Sequence, residues 1–393
     1  MHDSIDNLPG AFFLSFPEKK DFLISEVEER FPQYGKPAFY GDLIHYPKAN
    51  ISDDFSASIP YWCASAMIEP KKCEFASIGE AARLLKDIQR NWGSYQFTQF
   101  RRAALIQEKL PYINIKEKQF PFTMPTSPIG LYTLLDSNHM VFSEKTTSSL
   151  PAGLFRFVED HVNPPSRAYL KVQEALVRFA GFFSDISDLA LGAAYARDSA
   201  DGCETRAAGA QAQRDDATIA AGSSRGAASI PGPACFPQTG QRCFDAGACP
   251  GGWTWVLRQL GCKVFAVDRA PLAEPLMKDP DVTFMTHDAF TLKPQELGFF
   301  DWVFSDVICY PERLYEWVLM WLESGMCRNM ICTIKMQGAT DWSLVQRFAA
   351  IPNSRVLHLC YNKHELTWLH AGTEAAGAKT AAETQGYTKE SEK

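Results

Sequence analysis

No stretch of the 393-residue chain approaches the roughly 20 consecutive apolar residues that a membrane-spanning helix needs, so nothing in it reads as a span. The opening residues, MHDSIDNLPG, lack the charged-then-apolar run of a secretory signal. Positive charge is not in excess either: 39 Lys and Arg stand against 46 Asp and Glu, a net charge of −7 with a pI of about 5.7. A nucleic-acid partner would have to be met by a local basic patch, since no global field advertises one. Cysteines paired at metal or disulfide spacing are missing. The eleven present are odd in number and scattered, the pattern of reduced thiols in a cytoplasmic protein. Cys327 and Cys332 share a segment without further ligands nearby, and His364-Glu365 is followed by His370, the wrong spacing for a helical H-E-x-x-H site, so no metal is expected. What the chain has in quantity is apolar residues, 46%, and length enough for two or three domains.

The first 160 residues read as one α+β domain. Alternation and helical spacing predict a strand over Ala11 to Phe16, a helix over Lys19 to Phe31, strand or loop over Ala38 to Tyr46, helices over Ile78 to Trp92 and Gln96 to Leu110, and a hairpin, Gly130 to Leu135 with Met140 to Ser143. In the first helix Phe22, Leu23, Val27 and Phe31 make an apolar stripe against an acidic face of Glu26, Glu28 and Glu29. Two patches bear on RNA: Gln96-Phe97-Thr98-Gln99-Phe100-Arg101-Arg102, and Lys71-Lys72. The more ordinary reading of each is core-facing aromatics beside a solvated helix face. The prolines of Asn163-Pro164-Pro165-Ser166 close this domain, with Ser166 placed to cap a helix that carries Lys171. Residues 192 to about 240 and the tail 372–393 are rich in alanine, glycine, serine and threonine. With so few large apolar side chains they are expected to be disordered.

Beyond the insertion, short strands and helices alternate. The segment Cys243 to Asp268, CFDAGACPGGWTWVLRQLGCKVFAVD, reads as a strand ending at Asp245, a glycine turn from Gly247 to Gly252, a helix from Trp253 to Leu260, and a strand ending at Asp268. Further strands are predicted to end at His287-Asp288, Asp306 and Lys335, and the chain closes with a hairpin of Arg355 to Cys360 and Glu365 to Leu369. This is a doubly wound α/β sheet, mostly parallel, with a terminal antiparallel hairpin; ligands bind such sheets above the carboxyl ends of the strands. Asp245, Asp268, Asp288, Asp306 and Lys335 would then share one edge. A single acid after a strand is usually a turn or helix cap, but five polar ends in phase around a glycine turn describe a crevice. The dinucleotide pattern G-x-G-x-x-G is absent, which weighs against a nicotinamide dehydrogenase.

The run D-x-G-A-x-P-G-G-W over Asp245 to Trp253 resembles the S-adenosylmethionine loop of the RrmJ/FtsJ-type ribose 2′-O-methyltransferases. That resemblance implies a Rossmann-like S-adenosylmethionine-dependent methyltransferase domain over residues 161–371, preceded by the smaller α+β domain. It also implies a lysine–aspartate–lysine–glutamate tetrad. Ser166-Arg167-Ala168-Tyr169-Leu170-Lys171 matches the first segment, Phe304-Ser305-Asp306-Val307 the second, Thr333-Ile334-Lys335-Met336 the third and His364-Glu365-Leu366-Thr367 the fourth. Among these enzymes the chain is most similar to the RlmM-like family of large-subunit (23S) rRNA cytidine 2′-O-methyltransferases, which places an RNA-binding region with a THUMP-like module ahead of the catalytic domain. The expected roles follow from the family. Lys171, Asp306, Lys335 and Glu365 are catalytic. Asp245, Gly247, Ala248, Cys249, Pro250, Gly251, Gly252, Trp253, Asp268, Asp288 and Asp306 bind the cofactor. RNA is the partner, with no membrane or metal, and a monomer is the favoured state. Two alternatives stay open: a 2′-O-methyltransferase acting on another RNA, and a non-catalytic RNA-binding or ribosome-assembly factor that keeps the fold.

Overall fold

The computed structural model describes residues 5–52, 55–127, 129–198 and 235–372, with only the backbone for residue 56 and for residues 184–198. The calls of disorder at 199–234 and 373–393 lie outside the described residues. No described helix is long and apolar enough to cross a membrane.

The second half is built on a seven-stranded sheet. Its spatial order is Val282–Thr286, Lys263–Asp268, Arg242–Ala246, Phe300–Ser305, Cys327–Lys335, Glu365–Ala371 and Ser354–Leu357. All pairings from the first to the fifth of these strands are parallel, and only Glu365–Ala371 runs against its neighbours on both sides. The strands are apolar along nearly their whole length because both faces are covered. One face buries Leu170, Val172 and Leu176 of the long helix Tyr169–Asp198 together with Trp302, Phe304 and Ile331. The other buries Trp317, Trp321, Val345 and Phe348 from helices Pro311–Ser324 and Trp342–Ala349. The sheet is therefore a doubly wound, Rossmann-like plan with a terminal antiparallel hairpin, its order reversing at Arg242–Ala246.

Residues ahead of it form two five-stranded sheets. One comprises Lys145–Thr146, Cys63–Ile68, Ala11–Ser15, Leu43–Tyr46 and Ala38–Tyr40; the other Asp6–Asn7, Lys71–Glu74, His139–Ser143, Gly130–Leu134 and Trp92–Ser94. They meet through Phe12 and Met67 of the first and Leu131 and Val141 of the second. The first sheet and its helix Lys20–Arg30 share a continuous core with the seven-stranded sheet: Leu23, Val27, Phe31, Tyr61 and Trp62 join Ile334, Trp342, Leu366 and Trp368.

Several local expectations are corrected. Glu26 does not face solvent with Glu28 and Glu29. It is fully buried, ion-paired with Arg30, and accepts the amide hydrogens of Tyr61 at 2.8 Å and Trp62 at 3.1 Å. Burial lifts its pKa to about 7 despite the pull of Arg30 and the two amides. Ser166 caps nothing: the helix starts at Tyr169, and the Ser166 hydroxyl is buried without a partner. The helix itself runs on to Asp198, since alanine-rich sequence is good helix former. Phe236 is buried and stacked on Phe120 at 5.6 Å, so the last residues of the 192–240 stretch pack into the fold. The basic patches follow the more ordinary reading in part: Lys71 pairs with Glu144 at 2.6 Å, Arg102 covers Phe75 and Phe97 packs on Tyr40 and Tyr95, while Phe100, 60% exposed, stands out beside exposed Arg101.

Where the halves meet, His358 is enclosed by Phe16 at 4.5 Å and Trp62 at 4.6 Å between ring centroids. Burial drives its pKa down to about 3, with Lys19, Arg178 and His364 pushing the same way and the Lys363 carbonyl opposing. Above its ordinary value of 6.5 the group is neutral folded or unfolded; below it only the unfolded chain takes the proton, so stability falls as the pH drops from about 6.5 towards about 3. Glu26, raised to about 7, acts in the opposite sense. His358→Phe should therefore lose less stability between pH 7 and pH 5 than the wild type does, read as the shift in urea midpoint. An equal shift in both chains refutes it.

Candidate active site

Chain direction places the polar ends together. Asp268, Asp306 and Lys335 stand at or just past the carboxyl ends of three parallel strands, and Asp288 follows a fourth. Because Glu365–Ala371 runs the other way, its first residue falls beside the last residue of the preceding strand: Glu365 is directly opposite Lys335 in the ladder. Lys171 arrives from the first turn of the long helix on the sheet's other side.

The four side chains form one network. Lys171 Nζ donates to Asp306 Oδ2 at 2.8 Å and Oδ1 at 3.1 Å, and to Glu365 Oε1 at 3.0 Å. Lys335 Nζ donates to Asp306 Oδ1 at 2.6 Å and to Glu365 Oε2 at 3.2 Å. Two cations thus alternate with two carboxylates, every side chain between 10% and 17% exposed. Burial works against the Lys171 charge, but Asp306 and Glu365 outweigh it and hold its pKa above the ordinary lysine value. Burial likewise opposes the Glu365 charge, and Lys335 and Lys171 overcome it, so Glu365 stays an acid below the usual range.

Beside this network a cavity of about 370 Å³ is lined by Gly247, Cys249, Asp268, Arg269, His287, Asp288, Asp306, Val307, Ile308 and Arg313, among others. Of the candidate cofactor residues, Gly247, Cys249, Asp268, Asp288 and Asp306 face it. The rest build the turn. Ala248 and Trp253 are buried; the Trp253 indole donates to the Ala168 carbonyl at 3.1 Å, which ties the turn to the segment leading to Lys171. Gly251 and Gly252 lie under Leu276 and against Ser166, where an added Cβ would sit 2.3 Å and 2.6 Å from side-chain atoms. Pro250 precedes the helix: Gly251 is the cap and Gly252 the first helical residue, and the Pro250 carbonyl accepts from Ala273 at 2.9 Å. Gly247 and Gly251 both demand glycine: φ is +77° and +113°, and at Gly247 the Val307 Cγ2 lies 2.6 Å from where a Cβ would be.

Asp245 does not reach the cavity. It is 1% exposed below the turn and accepts from the Thr254 hydroxyl at 2.6 Å. Burial raises its pKa to about 7, with Asp306 and Asp268 adding to the rise and Thr254 restraining it. Asp268 spans the turn, accepting from the Cys249 amide at 3.0 Å and the Ala270 amide at 3.1 Å. Asp288 holds two partners that the sequence reading missed, Arg269 at 2.9 Å and Arg313 at 3.0 Å. Burial opposes its charge, but Arg313, Arg269 and the Phe290 amide leave its pKa below the ordinary value.

A larger cavity of about 990 Å³ opens between the halves. Its walls carry Lys19, Arg156, Arg167 and Lys363, offset by Glu18, Glu117 and Glu159, with Arg167 paired to Glu159 at 2.6 Å. It lacks the four-residue network, so the smaller cavity is the one next to the chemistry.

Residues 234–325 match the family model of FtsJ-like methyltransferases. The matched stretch contains the glycine turn, Asp268, Asp288 and Asp306, and leaves Lys171, Lys335 and Glu365 outside. Over 147 residues the chain is 36% identical to the Ribosomal RNA large subunit methyltransferase M of Alkalilimnicola ehrlichii, an alignment covering 36% of this chain and 40% of that protein. The protein of the same name from Xylella fastidiosa is 34% identical over 144 residues, 35% of this chain and 40% of its own. The chain thus spans about two fifths of the length of these curated relatives. A solved structure, a putative ribosomal RNA methyltransferase from Plasmodium falciparum, aligns over 35% of this chain and 89% of its own at 14% identity and a TM-score of 0.27. A likeness that loose adds nothing to the topology above.

Proposed function

We propose that this protein transfers a methyl group from S-adenosylmethionine to a ribose 2′-hydroxyl of RNA, and that a cytidine of large-subunit (23S) rRNA is the substrate to test first. The observation that carries the reading is the Lys171–Asp306–Lys335–Glu365 network at the edge of the cavity that Asp268, Asp288 and the glycine turn enclose. The similarity to rRNA methyltransferases supports the substrate class.

The cavity fits such a cofactor chemically. Three carboxylates suit a ligand with hydroxyls, an amine and a sulfonium charge, and bare backbone at Gly247 allows close approach. When bound, S-adenosylmethionine supplies an electrophilic methyl group. Asp268 holds the cofactor ribose, Asp288 the adenine edge and the turn the methionine end. A ribose hydroxyl is a poor nucleophile at neutral pH, so alignment and a nearby base are the useful contributions. Lys335 steers the 2′-oxygen and, in its amine form, takes its proton. Asp306 orients Lys335, while Lys171 keeps its charge and, with Glu365, fixes the carboxylates around it. The N-terminal residues 1–160 serve as the RNA-binding region, with a THUMP-like module the expected form.

Two measurements test this. Calorimetry should show binding of S-adenosylmethionine and none of NAD; the reverse result sinks the cofactor assignment. A methylated 2′-oxygen cannot attack the adjacent phosphate, so product RNA should resist alkaline cleavage at one position. Methylated RNA that still cleaves everywhere, with the label on a base, would make the enzyme a base methyltransferase.

A further inference from the structure

The residue in front of Glu365 is gripped by rings from the other half of the molecule. Phe22, on helix Lys20–Arg30, lies over the His364 imidazole with centroids 4.4 Å apart and 29° between planes. Trp62 stands behind, 5.1 Å from Phe22 and 5.9 Å from His364. Six residues earlier His358 is held by Phe16 and the same Trp62. The turn between these histidines is fixed from the opposite side as well. Fully buried Glu174, one helical turn beyond Lys171, accepts the Tyr361 amide at 3.2 Å. Asn362 Nδ2 donates to the Glu365 carbonyl at 3.2 Å and to Thr367 Oγ1 at 3.0 Å. Offset rings at these separations favour one relative placement over others, and a shared core backs them.

We infer that Phe22, backed by Trp62, is a positioning residue for Glu365: by stacking on His364 the N-terminal half sets where the Glu365 carboxylate stands between Lys171 and Lys335. This rests on the methyl-transfer reading and goes beyond it, because it makes the N-terminal half part of the catalytic geometry in addition to any hold it has on RNA. Phe22 acts on Glu365 indirectly, through the His364 ring and one peptide bond. Burial and Lys19 both depress the His364 pKa, so at neutral pH the ring is an uncharged aromatic surface.

The test uses the full-length chain. Since misplacement by about 1 Å can cost on the order of 10²-fold, Phe22→Ala should lower kcat roughly tenfold or more, with cofactor Kd and RNA KM each within about twofold. Phe22→Tyr should retain the rate, and His364→Phe should retain it where His364→Ala does not, because stacking and not imidazole chemistry is at work. In a Glu365→Gln background Phe22→Ala should cost nothing further, since the group it places is already altered. A readout independent of turnover is the titration of Lys171, followed by NMR with labelled lysine. Loosening Glu365 removes one of the two carboxylates that raise the Lys171 pKa, so its midpoint should fall in Phe22→Ala. Losses that multiply in the double variant, a loss confined to RNA KM, or an unmoved Lys171 midpoint each overturn the inference. A wild type without methyl transfer but with a Lys171 midpoint that moves would strike the functional reading alone and leave the positioning of Glu365 standing.

Discussion

Lys335→Ala should lower kcat by about 10²–10⁴-fold, the range over which a general base contributes, while cofactor affinity stays nearly unchanged. The lysine ends a largely apolar strand and gives its hydrogens to Asp306 and Glu365, and it is not among the residues lining the cavity beside Asp268 and Asp288. If it acts on the 2′-oxygen chiefly in the transition state, the loss falls on kcat and on kcat/KM alike. Arginine would keep the charge but not readily yield a proton, so Lys335→Arg should not rescue. Single-turnover rates with calorimetric Kd values decide the matter. A loss of only a few-fold, or a rate restored by arginine, removes the base role.

The network was legible because its members end or begin strands in one sheet, and strand ends can be read from apolar runs that stop. Lys335 and Glu365 are thirty residues apart in sequence, yet the antiparallel turn of the last strand puts them opposite each other, as a predicted terminal hairpin implies. The glycine turn was legible in outline only. The sequence reading assigned Ala248, Pro250, Gly251, Gly252 and Trp253 to the cofactor, and did not show that Gly251, Gly252 and Trp253 also fit the turn against Leu276, Ser166 and Ala168. Alanine, glycine and tryptophan serve equally in a lining or a packing role, and only three-dimensional neighbours separate the two. Thr254, Arg269 and Arg313 went unread for the same reason: each is an ordinary surface or helix residue until it meets Asp245 or Asp288. Glu26 shows the limit most clearly. Three glutamates crowd one helix, and the buried one is chosen by the backbone of Tyr61 and Trp62, 35 and 36 residues further on. The short strands Cys63–Ile68 and Lys71–Glu74 hide because small and charged residues blur the period-two signal.

Asp306→Asn should damage fold, cofactor binding and rate together, which separates it from Lys335→Ala. One carboxylate serves three purposes. It accepts from Lys171 at 2.8 Å, from Lys335 at 2.6 Å, and it lines the cavity proposed for the cofactor. The amide keeps the size but removes the charge, leaving two ammonium groups to share Glu365, and its NH₂ group would present hydrogens to donors. Breaking a fully buried pair costs roughly 3–5 kcal/mol; with side chains here 12% to 17% exposed, solvent screens part of that. A fall in Tm of roughly 5 °C is therefore expected, together with a drop in kcat of at least about 10²-fold and a weaker cofactor Kd. The compensating test is Lys171→Met in the same chain. It removes one of the two facing cations and should recover part of the lost Tm while leaving the rate low, because the stability defect is unpaired charge and the rate defect is a missing orienter for Lys335. Thermal unfolding, calorimetry and single-turnover methylation on the two variants and their combination read all three. An Asp306→Asn protein that melts like the wild type and turns over within a few-fold of it would show that the carboxylate neither holds the lysines nor serves the reaction.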